Sequence, residues 1–430
     1  MFRTESSISI PVSPEWVHQL LDWADQHFSY FSYLNPNDIA YPMGAFPHVF
    51  YAGNLTADLD HLDDLPKERP KIGIVSYDRK NRYENLHSQN PTWLECPETV
   101  FFSPEITIHL SANEATITAA DPETCARAIA ATGTKSQNPL GTYTLTASHG
   151  PRAYQNTFEE IQQHILDGDI YEMNFCMGFH GKLSYCDPVR FYLQLSSHSP
   201  MPFSALVKAK DLFLCCASPE RFLKKQGLKL VSQPIKGSTR RGKSPEEDAM
   251  LRQSLLDSEK ERAENLMIVD LMRNDLSRLA KTGTVSVPEL FGIYSFRQIT
   301  QMISTVACQL PKDTGFQEII SKTFPMGSMT GAPKIRCMEL IEKYETFKRG
   351  WFSGCLVRLE ASGDFDSCVI IRSMILNRAR NIFYFGVGSA ITADANAIDE
   401  YQECQLKAST IIQTLNHFYQ QKTDPVKWPN

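Results

Sequence analysis

The sequence has no Cys-x-x-Cys pair, no apolar run long enough to cross a bilayer, no basic excess and no internal repeat. Each absence removes a class. Without regularly spaced thiols, the 11 cysteines describe neither a zinc knuckle nor a disulfide framework, and the adjacent Cys215 and Cys216 suit neither. They read as reduced thiols packed as small hydrophobes. A formal net charge of −6 argues against a nucleic-acid partner. With no membrane span and no apolar core in the first residues, MFRTESSISIPVSPEW, neither a membrane protein nor a secreted one is expected; the expected compartment is the cytoplasm. The Gly-x-x-x-x-Gly-Lys-Ser/Thr spacing of a phosphate loop is also missing.

What is present suits a large globular enzyme. Hydrophobic residues are 42% of the chain and aromatics 10%, enough for a sizeable core. A length of 430 residues implies one large or two intimately packed domains. Residues 1–150 are rich in proline and aromatics, with strand patterns at 71–78, 99–110 and 114–121 and a helix at 121–133. Residues 134–153 collect Gly, Pro, Ser and Asn and read as a linker, dividing the chain into 1–150 and 151–420. Beyond it, helical periodicity covers 157–169, 247–280 and 394–421; 211–232 reads as a hairpin, and 368–377 and 381–391 as paired strands. Hairpins mixed with long helices predict an α+β fold.

Several residues could carry chemistry. Glu261 and Glu264 lie three apart on one predicted helix, Glu400 and Glu403 on another, so each pair shares a face. Two such pairs could surround a hard cation, although solvated helix faces produce the same pattern. The stretch 324–345 places Gly327, Ser328, Thr330 and Gly331 before a helix expected to open at Pro333, a geometry suited either to an anion or to a plain turn. Lys236 ends an apolar strand before a basic turn; such a lysine is either a surface residue or a nucleophile with a lowered pKa. Arg372 interrupts the apolar run CVIIRSMIL and needs a carboxylate partner, from the protein or from a ligand. Lys407 follows Glu403 by four residues, as an ordinary helix ion pair or as a ligand contact.

Taken together, CASPERF, PIKGSTRRG, AENLMIVDLMRNDLSR, FPMGSMTGAPKIRCMELI, DFDSCVIIRSMI and YFGVGSAITADANAIDEYQE resemble the chorismate-utilising enzymes. These include anthranilate synthase component I, aminodeoxychorismate synthase component I, and the isochorismate and salicylate synthases. The resemblance runs from about residue 155 to 415. It implies antiparallel sheets packed face to face with helices outside. It implies Mg²⁺ held by Glu264 and Glu403 with Glu261 and Glu400 in support, and Glu220 as the acid or base at the ring hydroxyl. Arg372, Lys407, Ser328 and the backbone at Gly386 and Gly388 would hold substrate carboxylates. Pro-Ile-Lys-Gly at Lys236 resembles the aminodeoxychorismate branch, where anthranilate synthases typically read Pro-Ile-Ala-Gly. The implied reaction is covalent: Lys236, made neutral by burial and Mg²⁺, attacks C2 of chorismate, and ammonia then displaces it by adding at C4. No glutaminase or lyase segment is recognisable, so an amidotransferase subunit and a separate lyase are expected partners; anthranilate synthesis is the alternative. The chain departs from the family's pattern at Glu172, where amine-using enzymes usually carry glutamine and the water-using branch a lysine. Further departures are Gln301 in place of a histidine, Phe352 in place of a tyrosine, and Met326 where Gly or Ala is frequent.

Overall fold

A computed structural model describes residues 5–133 and 140–422. Among the described residues, 12 strands form one sheet and 10 form another, and every pairing within the two sheets is antiparallel. Strand side chains alternate between faces, and here both faces of the larger sheet are apolar. Val49 and Tyr51 point into a core shared with Ile72, Phe101 and Val357 of the smaller sheet. Phe50 and Ala52, between them in sequence, enter a second core with Leu20, Phe158, Tyr192 and Ile411. These last come from the helices Pro14–His27, Pro151–Leu166, Pro188–His198 and Ala397–Phe418. Two sheets therefore pack face to face with helices outside, as the resemblance implies. No helix among the described residues is long and apolar enough to cross a membrane. All 11 cysteines are free thiols, most of them buried.

Chain crossings between the sheets matter more to the site than the sheets themselves. The run 99–110 is two strands, Thr99–Ser103 in the smaller sheet and Ile106–Leu110 in the larger, because Pro104 interrupts it. The predicted hairpin at 211–232 is three strands. Leu212–Ser218 lies in the larger sheet, and the chain crosses at Pro219 and Glu220 to the true hairpin Arg221–Gln226 and Lys229–Ser232 in the smaller one. The predicted strand 368–377 likewise divides into Phe365–Val369 and Ser373–Asn377, on different sheets. Arg372 thus stands at a crossing and not within a strand, with φ of 52°. The two crossings are fastened together by the Val369 amide, which donates to the Glu220 carbonyl at 3.0 Å.

Other expectations shift at their edges. The helix read at 157–169 starts at Pro151, in the first-turn position that proline favours, and ends at Leu166 before Gly168. The 247–280 segment is two helices, Pro245–Asp257 and Glu259–Ser277, parted at Ser258. Part of the linker read at 134–153, residues 134–139, lies outside the described residues; the rest forms strands Gly141–Tyr143 and Thr146–Ala147 and enters the next helix. Strands from both sides of residue 150 share both sheets.

Candidate active site

A cavity of about 550 Å³ opens where the crossings meet the helices Glu259–Ser277 and Ala397–Phe418. Every site residue expected from the sequence lines it: Lys236, Glu220, Ser328, Arg372, Gly386, Gly388, Lys407, Glu261, Glu264, Glu400 and Glu403. The volume suits a small organic acid with room for water.

The two glutamate pairs are delivered by two capped helix starts. Ser258 Oγ accepts from the Glu261 amide at 3.3 Å, and Asn396 Oδ1 accepts from the Ile398 amide at 2.9 Å and the Asp399 amide at 3.3 Å. Such caps contribute about 1 kcal/mol each and fix where the next two turns point. Carboxylates in those turns also meet the positive end of the helix dipole. Lys260, which the sequence reading did not single out, sits between the pairs, with Nζ 3.9 Å from Glu264 and 3.4 Å from Glu400. Its signal was the i,i+4 spacing to Glu264.

Lys260 makes the ion pairs with Glu264 and Glu400, and Lys236 and Lys407 act from further off, yet burial outweighs all three cations. Burial pushes the Glu264 carboxyl up to about 7, with Glu172 and Glu261 adding to the rise and Lys236 and Lys260 opposing it. Glu261 and Glu400 are also raised, burial first and Glu403 next among the causes that raise them. Glu403 alone is lowered: burial works against its charge, but Lys407, at 2.5 Å, together with Lys236 and Lys260 overcomes it. Among the described residues, no three His, Cys, Asp or Glu side chains converge closely enough to hold a metal ion by themselves.

Glu220 faces the same cavity from its crossing, 6% exposed. Burial raises its carboxyl to about 7, tempered by the Ser328 hydroxyl, Lys236 and Lys407. A carboxyl in that range holds a proton near neutral pH and can give it away. Arg372 has no hydrogen-bond or ion-pair partner among the described residues; burial lowers its pKa, and Glu403 opposes this. Lys407 is engaged twice, by Glu403 and by the Gly388 carbonyl at 2.7 Å.

Lys236 is on the strand Ile235–Arg240, followed by Gly237 with φ of 86°. A Cβ at Gly237 would come within 3.0 Å of Glu261 Oε2, so glycine lets the glutamate approach beside the lysine. The expected lowering of the lysine's pKa is not found in the chain itself. Burial does press it down, but Glu172 at 2.5 Å, with Glu264 and Glu403 behind it, raises it well above the ordinary lysine value. The departure at 172 thus places a carboxylate where the family's amide would be neutral.

The remaining departures sort by position. Gln301 lines the cavity with its Oε1 buried and unpaired, and Phe352 packs its ring against Gly386, where a Cβ would meet it at 2.3 Å. Met326 is core and does not line the cavity. The small-residue loop contributes Ser328 and Met329, but the helix after it, Lys334–Tyr344, does not reach the cavity. Pro333 is its N-cap, and Lys334 Nζ is tied to Asp275 and to the Thr323 and Pro325 carbonyls. Of the two readings left open there, an anion site or a plain turn, the described residues favour the turn. Arg240 and Arg241 are bound to Glu247 and Asp248 of the next helix rather than solvated alone.

Fold and site define a class: residues 48–413 match the family described as chorismate binding enzyme, and the chain belongs to that family. It is similar to aminodeoxychorismate synthase component 1 of Escherichia coli (strain K12), 32% identical over 359 residues that cover 83% of this chain and 79% of that protein. Anthranilate synthase component 1 of Thermus thermophilus is 30% identical over 378 residues, 84% of this chain and 80% of that one. Among solved structures, anthranilate synthase component I from Streptococcus pneumoniae TIGR4 superposes with a TM-score of 0.72 at 25% identity, covering 94% of this chain and 92% of that one.

Proposed function

We propose that this chain is the component of an aminodeoxychorismate synthase that aminates chorismate, using Lys236 as a covalent nucleophile. One observation carries the reading: the Nζ-bearing side chain of Lys236 lines the same cavity as Glu220, whose carboxyl burial raises to about 7, and Arg372, which has no hydrogen-bond or ion-pair partner among the described residues. Nucleophile, acid and carboxylate anchor are thereby brought around one small volume.

Arg372 binds one carboxylate of the substrate through charge-assisted hydrogen bonds and orients the ring. Lys236 forms the bond to C2 while Glu220 protonates the departing C4 oxygen, which leaves as water. Ammonia then adds at C4, the C2–N bond breaks, and Glu220 recovers a proton from the new ammonium group. The apolar wall of Phe352 and Met329 excludes water from the ring. Mg²⁺ fits the donor set, which is all oxygen, buried and short of positive charge; Glu264 and Glu403 would hold it with Glu261 and Glu400 supporting, and since no three converge, water and substrate oxygens would complete the shell. When bound it would supply positive charge for the ring carboxylate. A glutamine amidotransferase subunit supplies the ammonia, and a separate lyase carries the product on to 4-aminobenzoate.

The test is product identification from chorismate, Mg²⁺ and an ammonium salt. The expected product is 4-amino-4-deoxychorismate, converted to 4-aminobenzoate only when a lyase is added. Anthranilate formed without a lyase would instead place the chain with its anthranilate synthase relatives.

A further inference from the structure

The least expected contact in the cavity wall is the one behind Lys236. Glu172 opens the strand Glu172–Lys182, is 1% exposed and does not line the cavity. Its Oε1 accepts from Lys236 Nζ at 2.5 Å, while its Oε2 is buried and has no hydrogen-bond partner. A buried carboxylate ordinarily collects several donors. Here one oxygen is served by a single ammonium and the other by no donor, so Oε2 is an open position beside the lysine.

Lys236 needs such an acceptor. Glu172, Glu264 and Glu403 hold it as an ammonium ion, which has no lone pair to donate. Lys236 lines the cavity and Glu172 does not, so a substrate bound there leaves Glu172 in hydrogen-bond contact with the ammonium from behind. The neutral pair that results, carboxylic acid beside amine, is also the form that a water-poor setting penalises least.

We propose that Glu172 is the internal proton acceptor of Lys236, taking one proton from the ammonium ion when substrate fills the cavity and returning it when the lysine is released. The inference rests on the covalent reading of Lys236. In the forward step the Nζ–H bond breaks, its proton joins Glu172 Oε1, and the freed lone pair forms the bond to C2. The ring double bonds shift, the C4–O bond breaks, and the oxygen leaves as water with the proton of Glu220. When ammonia bonds to C4, the C2–N bond breaks and its electron pair returns to the lysine. The C4 ammonium gives one proton to Glu220, and Glu172 returns its proton to Lys236. Both side chains end as they began, and the net change is chorismate plus ammonia to aminated product plus water. Glu172 is a positioning residue in this scheme, acting only through Lys236.

The test compares wild type, Glu172→Gln, Glu172→Asp, Lys236→Ala and the double variant Glu172→Gln/Lys236→Ala in the full chain, with chorismate, Mg²⁺ and ammonium chloride. Glutamine keeps the shape and one hydrogen bond but accepts no proton. Glu172→Gln is expected to lower kcat by at least about tenfold near neutral pH, with KM for chorismate little changed. Its lysine must then deprotonate to solvent, so the ratio of variant to wild-type kcat should rise as pH rises from about 7 to 9. Glu172→Asp should fall between the two, and it carries the test if the glutamine variant fails to fold. Adding Glu172→Gln to Lys236→Ala should cost nothing further. A variant-to-wild-type ratio that does not change with pH, wild-type turnover in Glu172→Gln, or a further loss in the double variant would overturn the proposal. Anthranilate as the wild-type product would overturn the functional reading and this inference together. The aminodeoxychorismate product with a pH-independent ratio would overturn this inference alone.

Discussion

Replacing Arg372 by leucine separates what a residue does for the fold from what it does for a ligand. The side chain is half-buried at the crossing between Phe365–Val369 and Ser373–Asn377 and makes no hydrogen bond or ion pair with the described residues. Its backbone has a φ of 52°, a conformation a non-glycine residue adopts at some cost. Only the charge of Glu403, without a hydrogen bond or ion pair, acts against the partial dehydration of the guanidinium, so its removal should leave the ligand-free chain as stable as before, or more stable by up to about 1 kcal/mol. Substrate binding tells the opposite story. A bidentate bond to a carboxylate comprises two charge-assisted hydrogen bonds of about 1.5–3 kcal/mol each, so discounting for solvent in the cavity roughly 3–5 kcal/mol is lost. At about 1.4 kcal/mol per decade, kcat/KM should fall by roughly 100- to 3,000-fold. Thermal unfolding with and without chorismate, together with initial rates, reads both sides. The wild type should gain stability on binding chorismate, and the leucine variant should lose most of that gain. A drop in ligand-free melting temperature of several degrees would mean that Arg372 serves the fold. A fall in kcat/KM of less than about tenfold would mean that the carboxylate is held elsewhere.

Three other outcomes follow from the same geometry. Glu264→Gln and Glu403→Gln should each raise the Mg²⁺ concentration needed for half-maximal activity sharply; titrations unchanged in both would move the metal site elsewhere. Glu220 binds its proton more tightly folded, at about 7, than an ordinary glutamate at 4.5, so its contribution to stability is present below about 4.5 and lost as pH rises through about 7. Glu220→Gln should accordingly stabilise the chain at pH 8 by up to about 3 kcal/mol, lose that advantage by pH 4, and abolish most turnover; denaturant unfolding at the two pH values checks the sign. Gly386→Ala would drive a Cβ to within 2.3 Å of the Phe352 ring, and should lower the melting temperature and weaken chorismate binding together.

Residue identities were legible in the sequence far beyond their arrangement. All the site residues read from motifs line one cavity, because each motif carries side chains whose spacing survives folding. Glu261 and Glu264 need only a helix to share a face, and the helix Glu259–Ser277 provides it. The crossings were not legible. CVIIRSMIL is apolar enough to read as one strand, and only three-dimensional pairing reveals that the chain leaves one sheet after Val369 and joins the other at Ser373. The sequence left the helix end at Pro333 open between an anion site and a plain turn, and only the pairing of Gly331 and Ala332 with Met173 and Glu172 decides for the turn. Lys236 was legible as a candidate site residue but not as one half of an ion pair, since Glu172 lies 64 residues away in the chain.

The location of the site follows from those crossings. A strand within a sheet spends its backbone groups on neighbours and commits alternate side chains to two cores, leaving little freedom for chemistry. Where a chain passes from one sheet to the other, that commitment lapses for two or three residues, and Glu220 and Arg372 occupy two such passages, fastened to each other through Val369. The helices then add charge by their first turns. On one side the carboxylates outnumber the cations near them, with three raised above the ordinary range; on the other Arg372 has no partner among the described residues. Mutual compensation within the protein would have been the cheaper arrangement for stability. Holding the excess of one sign apart from the unpaired group of the other sign suits a ligand that carries both, a carboxylate substrate accompanied by a divalent cation, and in that arrangement neither should bind well without the other.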